Sequence, residues 1–206
     1  SLLCITFHET CHGLAAYWMG DPTAKRQGRL SLNPLRHIDI MGLVMMAVCH
    51  FGWAKPVPVD MRNFRRPKAG MALTALAGPV SNVLLAYVAV LFASASAAVY
   101  MCSGSKAVYY LWLFFFYLEI MSAGLAVFNL FPIPPLDGSK VLFAVLPDAW
   151  YGKLMRYERF GMILLAVLLL TGVLDTPLSF LRDGLTGALE AIGTWPADLI
   201  LNAFGA

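Results

Sequence analysis

Charge is what this chain has least of. Charged residues fill 13% of its 206 positions, about half the share of a soluble domain. Hydrophobic residues fill 59%, and mean hydropathy is +0.69. That balance argues against a soluble enzyme. Cysteine is also scarce. Cys4, Cys11, Cys49 and Cys102 show neither CxxC nor disulfide spacing, so they read as small hydrophobes rather than a disulfide framework. No internal repeat or low-complexity tract is visible, which counts against a transporter. No charged segment with a small-residue cleavage site opens the chain, so it does not begin with an ordinary signal peptide. Ser1 falls inside an apolar run, and further sequence upstream is expected.

What is present starts with His8-Glu9-Thr10-Cys11-His12, an HExxH motif inside an apolar stretch. On a helix, His8 and His12 lie within about 40° of one face and roughly 6 Å apart along the axis. That spacing lets two imidazoles share one Zn²⁺, with Glu9 beside them as general base. Burying two imidazoles and a carboxylate in an apolar helix is costly, so they are functional candidates by default. Cys11 lies between the imidazoles, but a thiol facing lipid or protein is the plainer reading.

The hydropathy pattern predicts helices over 1–19, 70–102 and 107–131, with a short possible span over 160–174. The apolar stretch 41–53 is too short to cross a bilayer and reads as re-entrant or interfacial. Alternating stretches within 28–60 suggest strands or extended loops. The tail 177–206, with Trp195 and Phe204, reads as interfacial and amphipathic. The expected fold is an all-α polytopic membrane protein. It has about four transmembrane helices and a small re-entrant or β-hairpin-like segment near residues 28–60. Nine of the 15 Lys and Arg lie between Lys25 and Lys68. The positive-inside rule therefore places 20–68 and roughly 132–159 on the cytoplasmic side. These cations read as topology determinants and contacts to anionic headgroups; a net charge of +3 calls for no nucleic-acid partner.

A catalytic zinc takes three protein ligands and keeps one open position. The extended soluble signature HExxHxxGxxH fails here, because Ala15 and Trp18 stand at the required Gly and His. Among carboxylates, Glu119, Glu158 and Glu190 are weaker candidates for the third ligand than Asp137. Asp137 follows Pro132-Ile133-Pro134-Pro135-Leu136, where a helix must unwind. Irregular backbone at membrane depth is tolerated where it is buried in protein or lines a wet cavity. The competing reading makes Asp137 an N-cap.

The HExxH segment and Asn129-Leu130-Phe131-Pro132-Ile133-Pro134-Pro135-Leu136-Asp137-Gly138 resemble the two signatures of the site-2 protease family of intramembrane zinc metalloproteases. Leu32-Asn33-Pro34-Leu35, Phe51 to Val59 and Ala77-Gly78-Pro79-Val80-Ser81-Asn82 are similar to further segments of bacterial members. The resemblance covers roughly residues 1–146. It implies an enzyme that cuts transmembrane segments of membrane proteins within or near the bilayer. His8, His12 and Asp137 would hold one Zn²⁺, and Glu9 would carry the proton from attacking water to leaving amine. Asn129 would stabilise the oxyanion or hold substrate backbone, or else act as a turn residue. Asn82 is a weaker candidate for that role, with a polar interhelical contact as its alternative.

The expected organisation is a metalloprotease core over 1–146, followed by a C-terminal transmembrane helix and interfacial tail over 147–206. The chain has no room for an inserted PDZ-like domain, and a compact bacterial or archaeal-type member without PDZ or CBS domain is expected. It would sit in the cytoplasmic membrane with the active site toward the cytoplasm. The region Leu30–Val59 could offer an edge strand to an extended substrate. Two other classes remain open: a catalytically silent membrane scaffold of the same fold, and a metal transporter.

Overall fold

The computed structural model describes residues 1–49, 53–147 and 160–204, the side chains of Met46 and Cys49 apart. Cys49, Phe51, Gly52, Lys153, Arg156, Glu158 and Arg159 therefore carry sequence expectations only. The described residues form helices α1 (Leu2–Trp18), α2 (Thr23–Arg26), α3 (Ile40–Cys49), α4 (Pro67–Ser103), α5 (Lys106–Leu130), α6 (Asp137–Ala144), α7 (Phe160–Leu170), α8 (Asp175–Gly193) and α9 (Trp195–Phe204).

Two of these, α4 with 37 residues and α5 with 25, are long and apolar enough to cross a membrane. The pair α7 and α8 passes the same test as one broken span, bent by 86°. The chain is thus a polytopic, mostly helical membrane protein with two such spans, or three with the bent pair. At 1.5 Å per residue, α4 is about 55 Å long and overreaches a hydrocarbon core of about 30 Å. Its packed face is built of small residues, among them Gly70, Ala75, Gly78, Ala86, Ala89 and Ala93. In lipid there is no hydrophobic drive between helices, and small residues let backbones approach closely. Helices α1, α5, α6, α8 and α9 all pack on α4. Ala86 and Val90 of α4 meet Ala123 of α5 and Leu189 of α8 in one apolar cluster. The opposite face of α4 exposes Leu84, Val88 and Phe92, as a lipid-facing surface should.

Helix α1 buries Cys4, His8, His12 and Ala16 at every fourth position, which turns the HExxH face toward α4. The helix stops at Gly20, whose φ of 110° suits glycine. Gly20 N–H donates to Tyr17 O and Asp21 N–H to Ala16 O, the paired bonds that close a helix C-terminus. Helix α5 ends where Pro132, Pro134 and Pro135 cannot donate backbone hydrogen bonds. That unwound segment is covered by a second apolar cluster. Leu136 packs there with Leu165 of α7 and with Leu174.

No strand occurs among the described residues, so the β-hairpin-like expectation for 28–60 is corrected. The backbone hydrogen bonds there go elsewhere. Lys55 N–H donates to His37 O, Val57 N–H to a carboxylate on α1, and Asp60 N–H to Asp21. Period-2 alternation over 53–60 reports an extended chain, but side chains and helices supply its partners. Arg29 is also not a surface cation. It is 7% exposed, and its guanidinium donates to Lys55 O at 2.6 Å and Pro56 O at 3.2 Å.

Candidate metal centre

The interior of one helix and the N-terminus of another meet at the site. α1 supplies His8 and His12, and α6 supplies Asp137. Leu136 is the N-cap of α6 and Asp137 its first residue, so Asp137 does not cap the helix. Its carboxylate instead turns toward α1, while its charge suits the first turn of a helix. Gly138 lets this happen: a Cβ there would collide with the Leu130 and Phe131 carbonyls.

The three ligand atoms form a tight triangle. His8 Nε2 lies 3.1 Å and His12 Nε2 3.0 Å from Asp137 Oδ2, and the two Nε2 atoms are 2.9 Å apart. All three residues are buried. Tetrahedral zinc with ligands at about 2.0–2.1 Å spaces those atoms about 3.4 Å apart. The residues present therefore fit a divalent metal after a shift of a few tenths of an ångström. Two imidazoles and a carboxylate are also the donor set that suits zinc.

The surroundings point the same way. His12 Nδ1 donates to Thr74 O at 2.7 Å, leaving the Nε2 lone pair for a metal. Gly78 of α4 faces the imidazoles. A Cβ there would lie 2.5 Å from His12 Nε2 and 2.6 Å from His8 Cε1, so the absent side chain is what makes room for the centre. Pro79 follows it inside the helix and withholds the N–H that Ala75 O would normally receive.

Glu9 lies in the same cavity of about 400 Å³, which His8, His12, Asp137, Asn129 and Lys140 also line. Its Oε2 accepts Val57 N–H at 2.8 Å, and Val57 follows the carbonyls that Arg29 clamps. Lys140 Nζ stands 3.5 Å from Asp137 Oδ1. Asn129 lines the cavity and donates from Nδ2 to Leu125 O at 3.0 Å. Asn82 is fully buried behind His8, with Nδ2 3.1 Å from His8 Nδ1, and lines no part of the cavity. Cys11 and Glu119 are likewise outside the lining.

Sequence reading missed the supports of the 53–60 segment: Arg29, Val57 N–H, and the carboxylate of Asp21. Asp21 is 0% exposed and accepts from Thr23, from Asp60 N–H at 2.7 Å and from Asn63 Nδ2 at 2.8 Å. Burial pushes its carboxyl up, but these donors outweigh burial and hold it below its usual range. Nearby Asp60 is lowered to about 2, chiefly by hydrogen bonds from Arg62.

The comparisons agree with this geometry. The model of Peptidase family M50 matches residues 92–174, a stretch that holds the helix break and Asp137. YwhC of Bacillus subtilis, named as a candidate zinc metalloprotease, is 38% identical over 176 residues, covering 82% of this chain and 78% of the relative. This chain belongs to peptidase family M50. That is the family of the site-2 proteases which the two motifs resemble. Rip2 of Mycobacterium tuberculosis, also so named, is 30% identical over 178 residues, 84% of this chain and 66% of the relative. The similarly named MJ0611 of Methanocaldococcus jannaschii is 38% identical over 137 residues, 66% of this chain and 63% of the relative. No solved structure matches the chain.

Proposed function

We propose that this M50 member is a zinc-dependent intramembrane endopeptidase that cuts transmembrane segments of membrane-protein substrates. One observation carries the reading. His8, His12 and Asp137 converge within hydrogen-bonding distance, beside Glu9, in a cavity between membrane helices.

His8, His12 and Asp137 would hold one Zn²⁺ per chain. The metal supplies Lewis acidity, polarising a scissile carbonyl and lowering the pKa of an attacking water. Glu9 takes the proton of that water and returns it to the leaving amine. Val57 N–H occupies Oε2 of Glu9 and leaves Oε1 as the proton acceptor. Asn129 has a second Nδ2 hydrogen beyond the one given to Leu125 O. We assign that hydrogen to the developing oxyanion or a substrate carbonyl. Asn82 takes no such role in this account. A substrate helix hides its carbonyls in i to i−4 bonds and must unwind before it can react. With its N–H given to Glu9, Val57 is a brace for the base, and not a free edge for an incoming strand.

The finer topology we propose has α1, α4, α5 and the bent α7–α8 pair as four membrane-crossing units, with α3 re-entrant or interfacial. Residues 1–146 then form the catalytic core, and 147–206 add a helix and an interfacial tail. The Lys and Arg of 25–68 favour a cytoplasmic membrane with the site toward the cytoplasm.

The test is cleavage of a transmembrane-helix reporter by the detergent-purified chain before and after chelation. Activity should disappear on metal removal and return with stoichiometric Zn²⁺. Cleavage that survives complete metal removal would sink the reading.

A further inference from the structure

The two imidazoles are gripped differently from behind. His12 Nδ1 faces the Thr74 carbonyl at 2.7 Å, which can only accept, so Nδ1 carries the proton and Nε2 stays open. His8 Nδ1 faces the side-chain amide of Asn82, Nδ2 at 3.1 Å. An amide can present either a donor or an acceptor. With Oδ1 toward the ring, Asn82 accepts from His8 Nδ1–H and leaves Nε2, 3.1 Å from Asp137 Oδ2, bare. A metal at the ligand triangle needs that tautomer, with Nε2 bare and Nδ1 protonated.

The other end of the amide, Nδ2 in that orientation, faces Ser122. The Ser122 hydroxyl lies 3.5 Å from that end and donates to the Asn82 backbone carbonyl at 2.9 Å. A hydroxyl both donates and accepts, so it can accept from that Nδ2.

We propose that Asn82 is a positioning residue for the metal ligand His8, its side-chain amide holding the ring in the Nδ1–H tautomer whose Nε2 is bare. The Gly78-Pro79-Val80-Ser81-Asn82 segment of α4 then has two duties at the centre: Gly78 makes room for the imidazoles, and Asn82 orients one of them. Asn82 is fully buried and lines no part of the cavity, so it acts through His8 and does not touch substrate. The proposal rests on the metalloprotease reading only in taking His8 as a ligand.

The experiment is zinc affinity by chelator competition on the full chain in detergent, for the parent, Asn82→Leu, Asn82→Asp and His12→Ala. Loss of an outer partner of a ligating histidine typically costs about 10–100-fold in metal affinity, and Asn82→Leu should show that loss. Asn82→Asp, whose carboxylate is an acceptor only, should recover affinity to within several-fold of the parent. The visible spectrum of the Co²⁺-loaded form should follow the same order. Parent-like affinity in folded Asn82→Leu overturns the proposal, and so does Asn82→Asp binding as weakly as Asn82→Leu. Should Asn82→Leu fail to fold, Ser122→Ala is read instead: weakening of about threefold or more supports the proposal, and unchanged affinity overturns it. Zinc binding unaltered by His12→Ala would instead strike the ligand assignment itself.

Discussion

Gly78→Ala is the substitution whose consequence the geometry fixes most tightly. The new methyl would stand 2.5 Å from His12 Cε1 and Nε2 and 2.6 Å from His8 Cε1. Ordinary contact begins near 3.4 Å, so the imidazoles must retreat by about 0.9 Å. Metal sites tolerate errors of about 0.2 Å in ligand distance. Both rings are also tethered from behind, His12 to Thr74 O and His8 to Asn82, so retreat breaks those bonds too. We expect zinc affinity to fall at least ~100-fold, or about 2.7 kcal/mol at 1.36 kcal/mol per decade. The fold should be less affected. Alanine is a better helix former than glycine by about 1 kcal/mol, which offsets part of the crowding cost of about 1–3 kcal/mol. Chelator competition gives the affinity, and thermal unfolding of the metal-free chain gives the stability. Parent-like zinc affinity in a folded Gly78→Ala chain would refute the reasoning, because the imidazoles would then not need the space that the glycine leaves.

Val57→Pro removes the N–H that braces Glu9, a hydrogen bond to a charged group of about 1.5–3 kcal/mol. Cleavage should fall roughly 10–100-fold with zinc content intact; equal losses of both would mean a collapsed site rather than a misplaced base. Asp21→Ala leaves Thr23, Asp60 N–H and Asn63 without their shared acceptor, and should destabilise the metal-free chain by about 3 kcal/mol, read by unfolding in detergent. Asp21 and Asp60 are both depressed in the folded state, so their stabilisation is complete above the unfolded carboxyl value of about 3.9. It is lost as pH falls from there toward about 2, a dependence that Asp21→Ala should flatten.

The cluster of His8, His12 and Asp137 that could hold a metal was legible in the sequence because each residue follows a local rule. HExxH places two imidazoles by helical period alone, and a proline cluster marks the one place where Asp137 can leave a helix and face inward. The family signatures lay on those same residues. The long helices were legible too: sustained hydropathy predicted 70–102 and 107–131, and α4 and α5 occupy Pro67–Ser103 and Lys106–Leu130. Residues 28–60 were not. Alternation there suggested strands, yet Arg29, Asp21, His37 and Glu9 take up the hydrogen bonds that a neighbouring strand would have used. Such pairings join residues 18 to 48 positions apart, and no local period encodes them. Arg29 looked like one more surface cation, because burial of a guanidinium against carbonyls depends on where the chain returns. The 86° bend between α7 and α8 likewise lies at residues whose composition alone reads as one short apolar run.

The most direct test compares the parent chain with Glu9→Gln for zinc content and for cleavage of a transmembrane-helix reporter. Glu9 is not among the converging ligands, so zinc should bind near one per chain in both. Loss of a general base costs about 10²–10⁴-fold, so cleavage should persist only in the parent. Cleavage by Glu9→Gln at the parent's rate, or a parent chain that binds no zinc, would contradict the account.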